Sequence, residues 1–325
     1  MTGSGVTLAI SAGVARQQLV VVVAGLVVLA FVAATNDIAI DTYYMRALDL
    51  RSQGALSGGR IGAYRAALLI GNGALVTLAG TRGFAVALVV AATGMLALAV
   101  IHALALPRRE RAATKRQAGS GDVVRTFLAK PSIGWSLAFL LTFRAGDALL
   151  FAMNAKLLAS LGLDTAARGV INGGFGTAAS ILGSVLGGVW VARRRLERAL
   201  PTIAVVQSLA ILLYVGLAVA RPDRTVVAAC VIVEQLVAGV GTAAFVVFIL
   251  RLCAGDHKAT HFAFATAVMS LAGTVAGSVS GFLLEAVGFS WFFAAAFVAS
   301  WPGVALAHVV CRRLDQGGGA TSSSA

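Results

Sequence analysis

Acidic side chains are scarce in this chain: 13 Asp and Glu in 325 residues, against 26 Lys and Arg. Charged residues of both signs make up only 12%, where a soluble globular domain carries roughly a quarter. There are three cysteines, four histidines and five prolines. Cys230, Cys253 and Cys311 have no paired spacing and lie within or at the ends of apolar runs, so they read as packing residues with no disulfide or metal role. No His, Cys and carboxylate cluster stands at ligand spacing, so neither a metal site nor a cofactor is expected, and a zinc or nucleophile enzyme has no support. The opening MTGSGVTLAISAGVA lacks a basic stretch ahead of its apolar residues and makes a poor signal peptide.

What fills the chain is hydrophobic: 59% of residues, with mean hydropathy +0.90. The apolar runs are about 20 residues long and do not alternate, which selects membrane-spanning helices over a transmembrane barrel. Spans are expected near 17–45, 58–80, 84–106, 133–156, 169–192, 201–220, 225–250, 260–285 and 289–311. The fold class is therefore an all-α membrane protein with about nine transmembrane helices.

A net charge of +13 with pI near 11 invites a nucleic-acid reading. The basic residues are instead dispersed over short connections, so no nucleic-acid partner is expected; the partner is the lipid bilayer. With the N-terminus outside, the cytoplasmic segments hold Arg46, Arg51, Arg60, the basic run from Arg108 to Lys130, Arg193 to Arg195, Arg198, Arg251, Lys258, Arg312 and Arg313. The outer segments hold only Arg16, Arg82, Lys156, Arg168, Arg221 and Arg224. Positive charge collects inside, as membrane insertion requires. The N-terminus is then periplasmic and the C-terminus cytoplasmic.

The one long polar segment divides the chain. Residues 1–107 read as a partial N-terminal bundle, 108–130 as a basic cytoplasmic linker, 131–314 as a six-helix bundle and 315–325 as a disordered tail.

Two groups of charges break the apolar rule. Asp37 and Asp41 are four apart and share a helix face with Tyr44. Asp37 lies about 15 Å from the end of its helix, and Arg65 about 12 Å into the next, at 1.5 Å per residue. Similar depth on neighbouring antiparallel helices suggests a pair; an interfacial Asp and a snorkelling Arg that only fix register would look the same. In the second group, Arg144 and Asp147 are three apart on one helix. Asp147 and, on another helix, Glu234 both lie about 13 Å below the outer surface. A buried salt bridge and a proton pathway are the two readings of that group. Small-residue stripes at Gly183 and Gly187, and at Gly273, Gly277 and Gly281, read as places where helices pack closely.

The run ATNDIAIDTYYMRAL, followed by GGRIGAYRAALLIGNGALV, resembles the fourth and fifth helices of the AmpG-type muropeptide permeases, a branch of the major facilitator superfamily. TFRAGDALLFAMNAKLL resembles their seventh helix, GVINGGFGTAASILGSVLGG their eighth, VEQLVAGVGTAAFVVFILRLC their tenth, and KATHFAFATAVMSLAGTVAGSVSGFLLEAVGFSWFF their eleventh and the start of the twelfth. The resemblance covers nearly all of 17–311 and nothing of the family's first three helices. It implies a major facilitator fold, N-terminally truncated, in the bacterial inner membrane. The implied activity is proton-coupled import of a polar anionic solute, an anhydro-muropeptide. The alternative is a non-transporting fragment or one half of a split carrier, with a separate polypeptide supplying the missing helices.

In that fold the helices carrying Asp147 and Glu234 line one central cavity. Arg144 would then meet the solute's carboxylates, for which its planar fork is suited. Asn154, Asn172 and Gln235 would serve its hydroxyls and amides. Glu234 and Asp147 are the candidate proton carriers, Glu234 first, because Asp147 is near Arg144.

Overall fold

The computed structural model describes residues 2–47, 63–105, 120–130, 132–254 and 258–321. The described residues are almost entirely helical and form two compact units. One comprises 1–115 with 164–174, the other 116–163 with 175–325.

In the first unit, α1 (Thr2–Ala15) packs on α2 (Leu19–Ala47) and α4 (Phe84–Ala105). The reason is steric. Its inward face is small: Gly3, Ser4, Thr7, Ser11 and Gly13 are buried there with Ile10. Ile10 seats against Gly25 of α2, and the Ser11 hydroxyl donates to the Ala85 carbonyl at 2.9 Å. The opening stretch is thus a packed helix. Between α2 and α4 lies α3 (Ala63–Arg82), π-helical over Leu69–Leu75. It crosses the start of α7 (Thr165–Arg194), which is π-helical over Gly169–Gly176. At the crossing, a side chain at Gly73 would meet the Gly173 backbone at 3.2 Å. Only residues without bulk allow such an approach.

The second unit contains α5 (Ser120–Leu128), α6 (Ile133–Ser160), the rest of α7, α8 (Leu196–Ala220), α9 (Arg224–Leu252) and α10 (Lys258–Thr321). Two helices break. α6 turns at Phe143 and Arg144, between Thr142 and Ala145. α10 kinks at Gly288, where φ is 75° and ψ 171°, a conformation that glycine tolerates and other residues resist. Among the described residues, eight helices are long and apolar enough to cross a membrane. The last of them, Thr260–Arg313, is 54 residues long. The Gly288 kink divides it, close to the expected boundary between spans 260–285 and 289–311. The chain is an all-α, multi-pass membrane protein.

Within the segment 108–130, residues Ser120–Leu128 form α5. Its Phe127 is fully buried, with its ring 5.1 Å from that of His261 and 5.5 Å from that of Phe264 on α10. The Thr126 hydroxyl lies 3.2 Å from His261 Nε2. Lys130 donates to the Leu252 and Ala254 carbonyls at 2.6 and 3.0 Å, closing the C-terminal end of α9. Of the tail, α10 takes in residues up to Thr321.

The core of the unit is aromatic: the Phe139 ring contacts those of Phe143, Phe245 and Phe248, and Phe143 stacks on Phe245. Cys253 and Cys311 are buried in the same cluster. Gly183 and Gly187 bring α7 onto α9: a side chain at Gly183 would overlap the Leu236 carbonyl, and one at Gly187 would lie 2.6 Å from that of Val240. The second stripe behaves otherwise. Gly273, Gly277 and Gly281 have nothing within 4 Å of where a side chain would begin. Leu271, Val275, Val279 and Phe282 on that arm of α10 are likewise exposed.

Candidate functional site

The site lies in the second unit, and the break in α6 creates it. Arg144 leaves the helical conformation, with φ −100° and ψ 6°, and a new helix begins at Ala145. Asp147 thereby falls in the first turn of that helix, where the helix dipole favours a negative group. Gly146 lets α6 approach α10: a side chain there would lie 2.7 Å from the Ala296 carbonyl and 2.8 Å from Ser300 Cβ. Ser300 in turn meets Ser208 of α8, oxygen to oxygen, at 2.5 Å.

Around Asp147 the structure gathers polar groups from α6, α8 and α9. Gln207 of α8 donates its amide N–H to Asp147 Oδ2. The half-buried Arg144 donates from Nη1 to the Thr242 hydroxyl of α9 at 3.0 Å. The Thr242 hydroxyl donates to the Ala238 carbonyl at 2.8 Å, which leaves its oxygen as an acceptor for Arg144. Glu234 is 2% exposed and Asp147 3%. The Arg144 charge acts on both carboxyls, and the Asp147 charge acts on Glu234. Glu234 Oε2 is buried without a hydrogen-bond donor. Tyr214, wholly buried, and Asn154, 4% exposed, extend the polar group. The two lie beside one another, and Glu234 is near the phenol.

Of the residues expected from sequence, the buried Asp147, Asn154 and Glu234 and the half-buried Arg144 fall in one polar group. Gln235 is half-buried beside Glu234 in the chain. Asn172 belongs to the first unit, in the π-helical stretch of α7, and is half-buried. Asp37 is exposed on α2, and Arg65 is half-buried near the start of α3. The side chains of Asp41 and Tyr44 lie outside the described residues. Among the described residues, no group of three or more His, Cys, Asp and Glu could hold a metal ion.

Sequence reasoning missed Gln207, Tyr214 and Thr242. Gln207 had a signal: an amide alone in the apolar run IAVVQSLAILL must find a partner inside the protein. Thr242 had none, because many serines and threonines in membrane helices bond only to their own helix, as Thr266 and Ser270 do.

Comparison with known proteins gives the site its context. The anhydromuropeptide permease of Escherichia coli strain K12 is 28% identical over 297 residues, which is 88% of this chain and 59% of the permease. A Haemophilus influenzae protein without an assigned function is 27% identical over 292 residues, 85% of this chain and 68% of that protein. A Rickettsia conorii protein bearing the AmpG transporter name is 23% identical over 285 residues, 85% of this chain and 69% of its own length. No family model matches the chain. The chain spans about six-tenths of the length of the Escherichia coli permease. The named relatives are permeases and transporters, not enzymes. With its apolar helices, the chain is similar to the AmpG-type permeases along 88% of its length.

Proposed function

We propose that the chain forms all or part of a proton-coupled secondary transporter of the major facilitator type. It imports a polar anionic solute, an anhydro-muropeptide, across the bacterial inner membrane. The observation that carries this reading is the pair of buried carboxyls, Asp147 and Glu234, with the half-buried Arg144, within membrane-spanning helices. Ionisable groups are costly there and mark solute or proton paths.

The roles follow from the partners. Arg144 is the cation for the solute's carboxylates. Asp147, with Arg144 and Gln207 as its partners, neutralises that cation between loads. Glu234 has an oxygen without a donor, so it is the carboxyl available to take a proton. Within the second unit, Asn154 with Gln235 supplies hydrogen bonds to the sugar and the peptide. In the first unit, Asp37 and Arg65 form a charged station of its own. The N-terminus is periplasmic and the C-terminus cytoplasmic.

Reconstituted vesicles test the reading. An imposed inward proton gradient should drive accumulation of labelled anhydro-muropeptide, and a protonophore should abolish it. Accumulation that persists with the protonophore removes the proton coupling, and no movement of the solute under any condition removes the substrate. Orientation is tested with cysteines placed between Arg108 and Lys130. A membrane-impermeant thiol reagent should reach them from the cytoplasmic side alone; labelling from outside intact cells would reverse the topology.

A further inference from the structure

Gln207 is held from two sides by groups that no packing requirement explains. It sits in the middle of α8 and is 5% exposed. On one side its amide N–H meets Asp147 Oδ2. On the other side its Oε1 is buried without a partner, pressed against the backbone of α9 at Gly241. A side-chain carbon at 241 would overlap that oxygen, with Gln207 Cδ at 2.5 Å and Nε2 at 3.2 Å. The volume that any other residue would fill at 241 is occupied by the glutamine amide. A glycine inside a helix costs about 1 kcal/mol relative to alanine, and here the amide is what the glycine makes room for. The next residue on α9 is Thr242, the acceptor for Arg144. Two consecutive residues of α9 thus seat the amide that holds Asp147 and receive the guanidinium whose charge acts on Asp147.

We propose that Gln207, seated by Gly241, is a positioning residue. It fixes the Asp147 carboxylate and, through Asp147, the direction in which Arg144 meets the solute. The proposal rests on the transporter reading of the same site. It makes Gly241 a specificity position without any contact of its own to the solute. Loss of the amide loosens Arg144, so solute affinity falls while the turnover of loaded carrier is kept.

The test is a double-mutant cycle in reconstituted full-length chain: Gln207→Ala, Gly241→Ala and the two together. It is read on the KM and maximal rate of anhydro-muropeptide counterflow, and on melting temperature in detergent. Each single variant should raise KM about tenfold, in line with loss of one hydrogen bond to a charged group, with the maximal rate within about twofold. The double variant should be no worse than Gln207→Ala, because alanine at 207 vacates the space that a methyl group at position 241 would enter. Gln207→Met keeps the length without the donor and should behave as Gln207→Ala. If Gly241→Ala fails to fold and the double variant folds, the seat is supported. Equal losses from Gly241→Ala in both backgrounds, failure of both to fold, or a wild-type KM for Gln207→Met would overturn it. A wild-type chain that moves no solute refutes the transport reading instead, and the cycle on melting temperature still decides whether Gly241 seats Gln207.

Discussion

Gly187 and Gly188 are neighbours on α7, yet they should respond to alanine in opposite directions. A Cβ at 187 would lie 2.6 Å from the Val240 carbonyl oxygen and 2.8 Å from Val240 Cα, where ordinary contact begins at 3.4 Å. The helices must therefore separate by about 0.8 Å or the backbone must bend. Both atoms belong to main chain, so neither can rotate away. Overpacking of this kind costs about 1–3 kcal/mol. Alanine also gains about 1 kcal/mol of helix propensity over glycine, which leaves Gly187→Ala about 0–2 kcal/mol less stable. At Gly188 nothing lies within 4 Å. Gly188→Ala should keep the propensity gain and be about 1 kcal/mol more stable. Because propensity cancels between the two variants, their difference isolates the helix contact. Thermal unfolding of purified protein in a mild detergent, side by side, measures it. Gly187→Ala should melt below Gly188→Ala, and Gly277→Ala, also in open space, should follow Gly188→Ala. Equal melting temperatures for the first two would refute the close α7–α9 crossing.

Two further outcomes concern single carboxylates. Asp223 caps α9, accepting from the Thr225 and Val226 amides at 2.8 and 3.1 Å, so Asp223→Ala should cost about 1 kcal/mol of stability without changing KM for the solute. Asp37→Asn should impair uptake while leaving the protein in the membrane. The charge swap Asp37→Arg with Arg65→Asp should recover part of that loss, and wild-type uptake by Asp37→Asn would reduce the residue to a register device.

The spans were legible because lipid imposes a long, simple pattern, and even the turn at Gly288 fell in the short gap expected between two of them. Arg144, Asp147 and Glu234 were legible for the converse reason: charge in an apolar run stands out. What escaped was whatever depends on partners distant in the chain. The small-residue face of α1 has meaning only beside Gly25 and Ala85. The two glycine stripes read alike in sequence, yet one meets the α9 backbone and the other open space. The break at Arg144 leaves no proline or glycine at that residue as a signal. Gln207 needed the combination of Asp147, 60 residues earlier, and Gly241 before it could be seen as part of a site.

The central claim is that Glu234 carries the coupled proton, and Glu234→Gln tests it most directly. The substitution keeps the shape of the side chain and removes its capacity to cycle a proton. Vesicles containing the variant should exchange labelled for unlabelled anhydro-muropeptide at close to the wild-type rate, yet fail to accumulate it when an inward proton gradient is imposed. Accumulation against the solute gradient by Glu234→Gln would contradict the account.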